Sequence, residues 1–177
     1  MKISINSDEI RHFLDELGKQ SSRKENLILL GGSALCLLGS ARSTLDIDYV
    51  GDDLKKTPLD FLLLDIAKKM QLDIEPVPID KFIPISTTDF KNNLHIGSFG
   101  EIEVFILNPY LIALSKLDRG FDTDIEDIIF LIENGIVILQ TLEQKMNSIL
   151  DKADEFDIDL RELNNHWKDL LNQLKNF

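Results

Sequence analysis

Cysteine is nearly absent from this chain of 177 residues: Cys36 stands alone, so no disulfide can form within the chain. Cys36 lies in an apolar run, where a buried structural thiol is expected rather than a nucleophile. Long apolar runs are missing too, since none approaches the roughly 20 residues that a membrane-spanning helix requires. The N-terminal residues lack the apolar core of a secretory signal. We therefore expect a cytoplasmic protein without membrane contact.

Basic residues are scarce as well. The chain has 19 Lys and Arg residues against 31 Asp and Glu residues, a formal net charge of −12 at pH 7, and no basic run. Binding to the backbone of long nucleic acids depends on clustered Lys and Arg, so long nucleic acid is not expected as the primary ligand. A metal–nucleotide complex, a cationic small molecule or a basic protein partner suits this charge. An acidic surface also serves solubility alone, and that simpler interpretation stays open.

Apolar spacing and turn residues divide the chain into many helices and few strands. The first helix is expected to begin with Ser7 as its cap and to end at Gly18. Three prolines between Glu75 and Pro84 predict an extended, irregular crossing. The other predicted elements are a strand at 27–30, a helix at 33–38, a strand at 46–50, a helix starting at Thr57-Pro58, a β-hairpin around Gly97–Gly100, and helices at 110–118, 123–135 (with Thr123 and Glu126 as a capping box), 142–154 and 159–175.

This order of elements predicts the α+β class, with a small mixed sheet flanked by helices and a helical C-terminal part. We expect residues 1–138 to form the main domain and residues 139–177 to form a helical extension packed on it. Acidic residues between Asp151 and Glu162 make that extension suited either to a basic partner or to a plain helical cap on the sheet.

Asp46 and Asp48 stand two residues apart on the predicted strand at 46–50, so their side chains share one face. Two close carboxylates repel each other, and a divalent cation removes that repulsion. Mg²⁺ is typically held by one or two carboxylates together with waters and substrate phosphates. The pair is therefore suited to Mg²⁺ or Mn²⁺ bound with a nucleoside triphosphate, although acidic surface strands without a metal are also common.

Gly31, Gly32 and Ser33 connect a predicted buried strand to a predicted helix. Without side chains at the two glycines, phosphate oxygens can approach the backbone N–H groups at the helix N-terminus, where the helix dipole favours negative charge. Ser33 either adds a hydroxyl donor to the phosphate or only caps the helix. A tight turn that uses glycine for packing is the alternative interpretation.

Together, the segments Gly31–Leu35 and Arg42–Asp48 resemble the signature of the DNA polymerase β-like nucleotidyltransferase superfamily. The chain looks most similar to small bacterial members, namely the AbiEii-type abortive-infection toxin enzymes and the minimal nucleotidyltransferases. A second segment, Leu111–Ile128, resembles the Lys … Arg … Asp-x-x-Asp helical motif of the AbiEii-like group. The resemblance extends from Leu27 to Leu131 and bears on fold more than on substrate.

The resemblance implies roles for individual residues. Arg42 contacts phosphate or base, or else pairs with Asp46 or Asp48, and Thr44 either binds nucleotide or only fixes the entry to the strand. Lys116 reaches the triphosphate or is an ordinary solvated lysine, and Arg119 contacts substrate or pairs with a neighbouring aspartate. The full set of implied nucleotide-binding residues is Gly31, Gly32, Ser33, Arg42, Thr44, Lys116, Asp124 and Asp127, and the implied catalytic residues are Asp46, Asp48, Glu103 and Lys116.

The third carboxylate departs from the superfamily pattern, which often has Asp on a later strand. The matching strand carries Glu101 and Glu103 on one face. Glu103 is preferred as the third metal ligand beside Asp46 and Asp48. If neither glutamate points into the cleft, we expect nucleotide binding with slow transfer or none.

The resemblance implies an Mg²⁺-dependent enzyme that moves a nucleoside monophosphate from a triphosphate to an acceptor hydroxyl. The acceptor lies on a protein, a small molecule or RNA, within a toxin–antitoxin or abortive-infection setting. The alternative is a catalytically weak nucleotide-binding domain that works as an antitoxin-like, partner-binding module.

Overall fold

A computed structural model describes residues 4–175 of the chain. Two compact units are present. Unit 1 comprises residues 4–79 and Asn92–Leu107, and unit 2 comprises Asp80–Lys91 and residues 108–175. The division thus falls after Leu107 and not after Ile138, where the sequence pattern had placed the edge of the main domain.

Unit 1 contains three helices and five strands among its described residues. Asn6 and Thr57 cap helices α1 and α3 through their side chains, each as part of a capping box. The elements are α1 (Ser7–Gln20), β1 (Glu25–Leu30), α2 (Gly31–Leu37), β2 (Ile47–Val50), α3 (Pro58–Met70), β3 (Ile74–Val77), β4 (Leu94–Phe99) and β5 (Ile102–Ile106).

The five strands form one mixed sheet in the order β3-β2-β1-β5-β4. The pairs β1–β5 and β2–β3 are parallel, whereas β1–β2 and β4–β5 are antiparallel. One face of the sheet is buried, with Leu29, Ile47 and Val104 fully covered. These side chains and the buried stripes of α1 and α3, which pack on each other, form the core of the unit.

Strand β3 occupies the first part of the segment from Glu75 to Pro84, which the prolines had predicted to be an irregular crossing. The rest of that segment is irregular apart from a short 3₁₀ helix at Ile79–Lys81. The carbonyl groups of Asp73 and Val77 accept hydrogen bonds from the N–H groups of Ile47 and Gly51. Pro76 lies between these bonded positions on an edge strand, so its missing N–H falls on the unpaired side of the ladder. A proline at this position removes no hydrogen bond between β2 and β3, so it is compatible with the strand.

Helix boundaries differ from the prediction at several places; α2, for example, begins at Gly31 and α7 at Leu139. Asn6, not Ser7, caps α1, and the helix runs through Gly18 to Gln20. Gly18 serves close packing instead of termination, because a Cβ there would lie 2.5 Å from the carbonyl carbon of Phe99. The predicted capping box at Thr123 is wrong, since helix α6 follows Phe121 and has no side-chain cap.

Within the described residues of unit 2, all secondary-structure elements are helices. Helix α5 contacts α6, α7 and α8, so the last two helices share a core with α5 and α6. Trp167 is buried on α8, as expected for an anchoring side chain. The elements are α4 (Thr87–Phe90), α5 (Pro109–Arg119), α6 (Asp122–Glu133), α7 (Leu139–Ile149), a 3₁₀ helix (Leu150–Glu155) and α8 (Leu160–Lys175).

The strands and helices together confirm the predicted α+β class with a mixed sheet flanked by helices. Among residues 4–175, no helix combines the length and the apolar character needed to cross a membrane.

Candidate metal and nucleotide site

Three carboxylates meet where β2 and β3 run side by side. Asp46 immediately precedes β2, Asp48 lies within it, and Glu75 is the register partner of Asp48 on β3. One carboxylate oxygen from each residue lies within 4.8 Å of the other two. Asp46 and Asp48 are half-buried and Glu75 is exposed, so the cluster opens to solvent.

The chemistry of this cluster suits a hard divalent cation. Three carboxylates at this spacing repel one another, and a shared cation removes the repulsion. The donors are all oxygen atoms, the ligand type that Mg²⁺ and Mn²⁺ prefer. The residues therefore fit the metal that the sequence pattern implied, and Asp46, Asp48 and Glu75 are the groups that could hold it.

Glu103, the expected third carboxylate, does not join this cluster. It is paired in register with Asn26 at the start of β1, whereas Asp48 is paired with Leu30 at the end of β1. Four residues of strand, about 13 Å, separate those two levels of the sheet. Its neighbour Glu101 precedes β5 and is exposed, outside the cluster as well.

Gly31 allows the carboxylate of Asp48 to lie against the turn between β1 and α2. A Cβ at Gly31 would lie 2.0 Å from Oδ2 of Asp48, closer than any side chain permits. The φ angle of Gly31 is +63°, in the left-handed region that favours glycine. The first glycine of the motif is thus required by the position of the Asp48 carboxylate.

Gly32 and Thr44 fix the segment that carries Asp46. A Cβ at Gly32 would lie 2.6 Å from Oγ1 of Thr44, so the glycine makes room for the buried threonine. The Thr44 hydroxyl donates a hydrogen bond of 3.4 Å to Oδ1 of Asp46. The backbone of Thr44 also pairs with Ile5 in both directions, at 2.7 and 2.9 Å. Thr44 therefore holds the entry to β2, one of the two roles considered for it.

Ser33 is used inside the protein. It is fully buried, and its hydroxyl donates to the carbonyl oxygen of Leu30 at 2.9 Å. That bond engages its single O–H donor, and the contact of this hydroxyl with a phosphate stays a prediction. The guanidinium of Arg42 lies beside the turn, with Nη2 3.7 Å from where a Cβ of Gly32 would be.

Lys116, Asp124 and Asp127 form a buried ion cluster in unit 2. Lys116 Nζ lies 3.0 Å from Oδ1 of Asp124 and 2.7 Å from Oδ2 of Asp127, and the three side chains are 3–5% exposed. Arg119 also binds Asp124, with Nη2 2.6 Å from Oδ1 and Nε 3.2 Å from Oδ2. Burial by itself raises the pKa of Asp124, but the hydrogen bonds and charges of Arg119 and Lys116 outweigh it and hold the pKa below its ordinary value.

This cluster decides one of the alternatives left open for Lys116. A lysine that is this deeply buried and bound by two carboxylates is not a solvated surface group. The contacts of Lys116, Asp124 and Asp127 with a nucleotide stay a prediction. Arg119 pairs with Asp124, which is the alternative that the sequence left open.

A family model described as "Nucleotidyltransferase of unknown function (DUF6036)" matches residues 8–175. The chain belongs to this nucleotidyltransferase family. No curated protein and no solved structure matches the chain. Membership confirms the expected superfamily and its fold. The closer AbiEii-like subtype stays a prediction.

Sequence reasoning missed two contributions to the site. Glu75 lay in the segment dismissed as irregular, and its signal was its alternation with Ile74, which is buried. The second contribution is the bond of 2.7 Å from the Tyr49 hydroxyl to Oδ1 of Asp60 on α3, which ties β2 to that helix. Burial raises the pKa of Tyr49 and its bond to Asp60 adds to the effect, so the hydroxyl stays a donor.

Proposed function

We propose that this protein transfers a nucleoside monophosphate from a nucleoside triphosphate to an acceptor hydroxyl, using Mg²⁺ or Mn²⁺. The observation that carries the proposal is the convergence of Asp46, Asp48 and Glu75 within 4.8 Å, in a chain that belongs to a nucleotidyltransferase family. In the reaction, the acceptor oxygen forms a bond to the α-phosphorus and the bond to pyrophosphate breaks.

The three carboxylates would hold the metal, which when bound supplies Lewis-acid stabilisation of charge on the phosphate oxygens. Asp46 is positioned by Thr44, and Asp48 is seated against Gly31. Glu75 approaches from the parallel strand β3. The protein contributes mainly by fixing these oxygen atoms in place before the substrate arrives.

The turn at Gly31–Ser33 is proposed to hold phosphate through its backbone. Leu30 provides no side-chain cap for α2, so no side chain of that residue competes for the first N–H groups of the helix. Neither glycine places a side chain of its own over these N–H groups. Arg42, whose guanidinium lies beside Gly32, is proposed to contact the same phosphate.

The decisive experiment follows labelled nucleoside triphosphate, with Mg²⁺, into RNA, protein or small molecules from a cell lysate. We expect label transfer by the wild type and a loss of at least about 100-fold in Asp48→Asn and Glu75→Gln, since each removes a ligand of the charged centre. Glu101→Gln is the matched control because it makes the same change at an exposed residue outside the cluster. Transfer that survives in Glu75→Gln would reject Glu75 as a ligand.

Metal binding separates Glu75 from Glu103 without any acceptor. Mn²⁺ titrated into the protein and followed by electron paramagnetic resonance should bind more weakly to Glu75→Gln, whereas Glu103→Gln should bind it like the wild type. The reverse result would restore Glu103 as the third ligand. Triphosphate binding without transfer to any lysate component would favour the alternative of a partner-binding module.

A further inference from the structure

The hydroxyl group of Ser33 binds the backbone of two neighbouring strands. It donates to the carbonyl oxygen of Leu30, the last residue of β1, at 2.9 Å, and to the carbonyl oxygen of Asp48 on β2 at 3.4 Å. Leu30 and Asp48 are register partners in the antiparallel pairing of β1 with β2. A hydroxyl group has one proton to donate, so the two carbonyl groups of this register pair share it as a three-centre bond.

The contact with Asp48 sets this serine apart from one that only bonds to its own helix. Ser115 shows the ordinary case, since its hydroxyl donates to the carbonyl oxygen of Ile112, three residues earlier, at 2.9 Å. The bond from Ser33 to Leu30 spans the same three residues, but Asp48 lies 15 residues further along the chain. The shared bond therefore joins the first turn of α2 to the strand that carries Asp48.

The first turn of α2 contacts Asp48 at both its backbone and its side chain. Ser33 binds the carbonyl group, and Gly31 leaves space for the carboxylate, whose Oδ2 lies 2.0 Å from where a Cβ of Gly31 would be. A residue that is held at its backbone and confined at its side chain has few orientations left. In this orientation one of its carboxylate oxygens lies within 4.8 Å of carboxylate oxygens of Asp46 and Glu75. The turn thus contributes to the geometry of the cluster.

Ser33 is buried deeply enough that water cannot take over its bond. The residue has no exposed surface, and Leu30 is 5% exposed. If the hydroxyl is removed, the carbonyl group of Asp48 therefore loses a donor that solvent does not replace. The same burial counts against a contact with phosphate, because a hydroxyl that binds a ligand has to be reached from outside the core.

We propose that Ser33 is a positioning residue, whose hydroxyl group fixes the backbone of Asp48 and thereby the carboxylate cluster. The inference rests on the proposed function, because it assumes that Asp48 holds the metal. A metal ion binds best where its ligands are already in place, and groups that hold those ligands through hydrogen bonds affect its affinity. In this assignment the serine of the motif serves a metal ligand instead of contacting phosphate.

Mn²⁺ binding in the absence of nucleotide tests the assignment, because no phosphate is then present. We expect Ser33→Ala to bind Mn²⁺ about three- to tenfold more weakly than the wild type, the range that corresponds to one lost hydrogen bond. Ser33→Cys keeps a similar volume and has a weaker donor, so its affinity should lie between the two. Ser115→Ala is the matched control: it removes the same three-residue hydroxyl–carbonyl bond in unit 2 and should bind Mn²⁺ like the wild type. Electron paramagnetic resonance follows the binding, and circular dichroism verifies that each variant is folded.

Two further backgrounds show whether Ser33 acts through Asp48. In Asp48→Asn the charge that Ser33 helps to place is gone, so adding Ser33→Ala should have little further effect on Mn²⁺ affinity. In Asp46→Asn the charge of Asp48 remains, and Ser33→Ala should weaken Mn²⁺ binding as it does in the wild type. Equal losses in the two backgrounds would overturn the inference, because they would show a general loosening of the fold.

A serine that contacts phosphate would give a different pattern. Ser33→Ala would then bind Mn²⁺ alone like the wild type and would bind a nucleoside triphosphate more weakly once Mn²⁺ is present. That result would reject the positioning role and support the contact with phosphate that the sequence resemblance implied.

The outcomes separate this inference from the proposed function. An unchanged Mn²⁺ affinity in Ser33→Ala, together with label transfer by the wild type, would reject only the positioning role. Weaker Mn²⁺ binding in Ser33→Ala, in a protein whose wild type transfers no label to any lysate component, would reject the proposed function and keep the role of Ser33 at a metal site. Weaker Mn²⁺ binding together with label transfer by the wild type supports both.

Discussion

Replacing Lys116 with Met tests whether the ion cluster in unit 2 is structural. The ammonium group lies 3.0 Å from Asp124 and 2.7 Å from Asp127, and all three side chains are at most 5% exposed. Lys116→Met keeps a similar apolar stem but leaves two buried carboxylates without the ammonium between them. Breaking a buried ion pair in this way costs about 3–5 kcal/mol of unfolding free energy.

Arg119 provides the comparison within the same cluster. Its side chain is 57% exposed although it binds the same Asp124, so Arg119→Met should cost only about 1 kcal/mol. Adding Asp127→Asn to Lys116→Met removes one of the stranded charges, and the double variant should be more stable than Lys116→Met alone.

Urea unfolding followed by circular dichroism measures these differences, and triphosphate binding is measured on the folded variants in parallel. The expected order of stability is wild type, Arg119→Met, double variant and Lys116→Met. A Lys116→Met protein as stable as the wild type, with weakened triphosphate binding, would refute the structural role and restore the contact that the sequence resemblance implied.

Two further predictions concern the setting of Asp48. Gly31→Ala should weaken Mn²⁺ binding because its Cβ would meet the Asp48 carboxylate. Gly39→Ala also lies at positive φ but has open space around it, so it should lower stability without changing metal affinity. Mn²⁺ titrations of the two variants test this prediction, and equal metal affinities would contradict it. Tyr49→Phe should lower the free energy of unfolding by about 1–3 kcal/mol at pH 7, because it removes the hydrogen bond to the Asp60 carboxylate. Burial by itself raises the pKa of Asp60, but hydrogen bonds from Thr57 and Tyr49 outweigh it and hold the pKa below its ordinary value. The stability that these bonds contribute is therefore present above the ordinary pKa and is lost as the pH falls through the lowered pKa. The difference in unfolding free energy between wild type and Tyr49→Phe should therefore begin to shrink as the pH falls below about 4 and should vanish only below the lowered pKa of Asp60. A difference independent of pH would count against an ionised Asp60.

Local sequence patterns predicted the elements that depend on residues close together in the chain. Helix α3 begins at the predicted Thr57-Pro58, because a capping hydroxyl and a preset φ act within one turn. The Asp46 and Asp48 pair and the Gly31 turn were recognised for the same reason, since both depend on short spacing along one strand and its connection. The hairpin β4–β5 also lies where Gly97 and Gly100 predicted it.

The remaining features depend on contacts between residues far apart in the chain. The sequence pattern placed Glu103 on a strand and Glu75 in an irregular crossing, and only the parallel pairing of β3 with β2 brings Glu75, rather than Glu103, to Asp48. The sequence likewise allowed Lys116 to be an ordinary solvated lysine on a helix, and only the packing of α5 against α6 buries it. The amino-acid sequence thus determines a pair of acidic residues and the glycine turn beside it, whereas strand order and helix packing decide which distant charges join that pair and which are neutralised inside the protein.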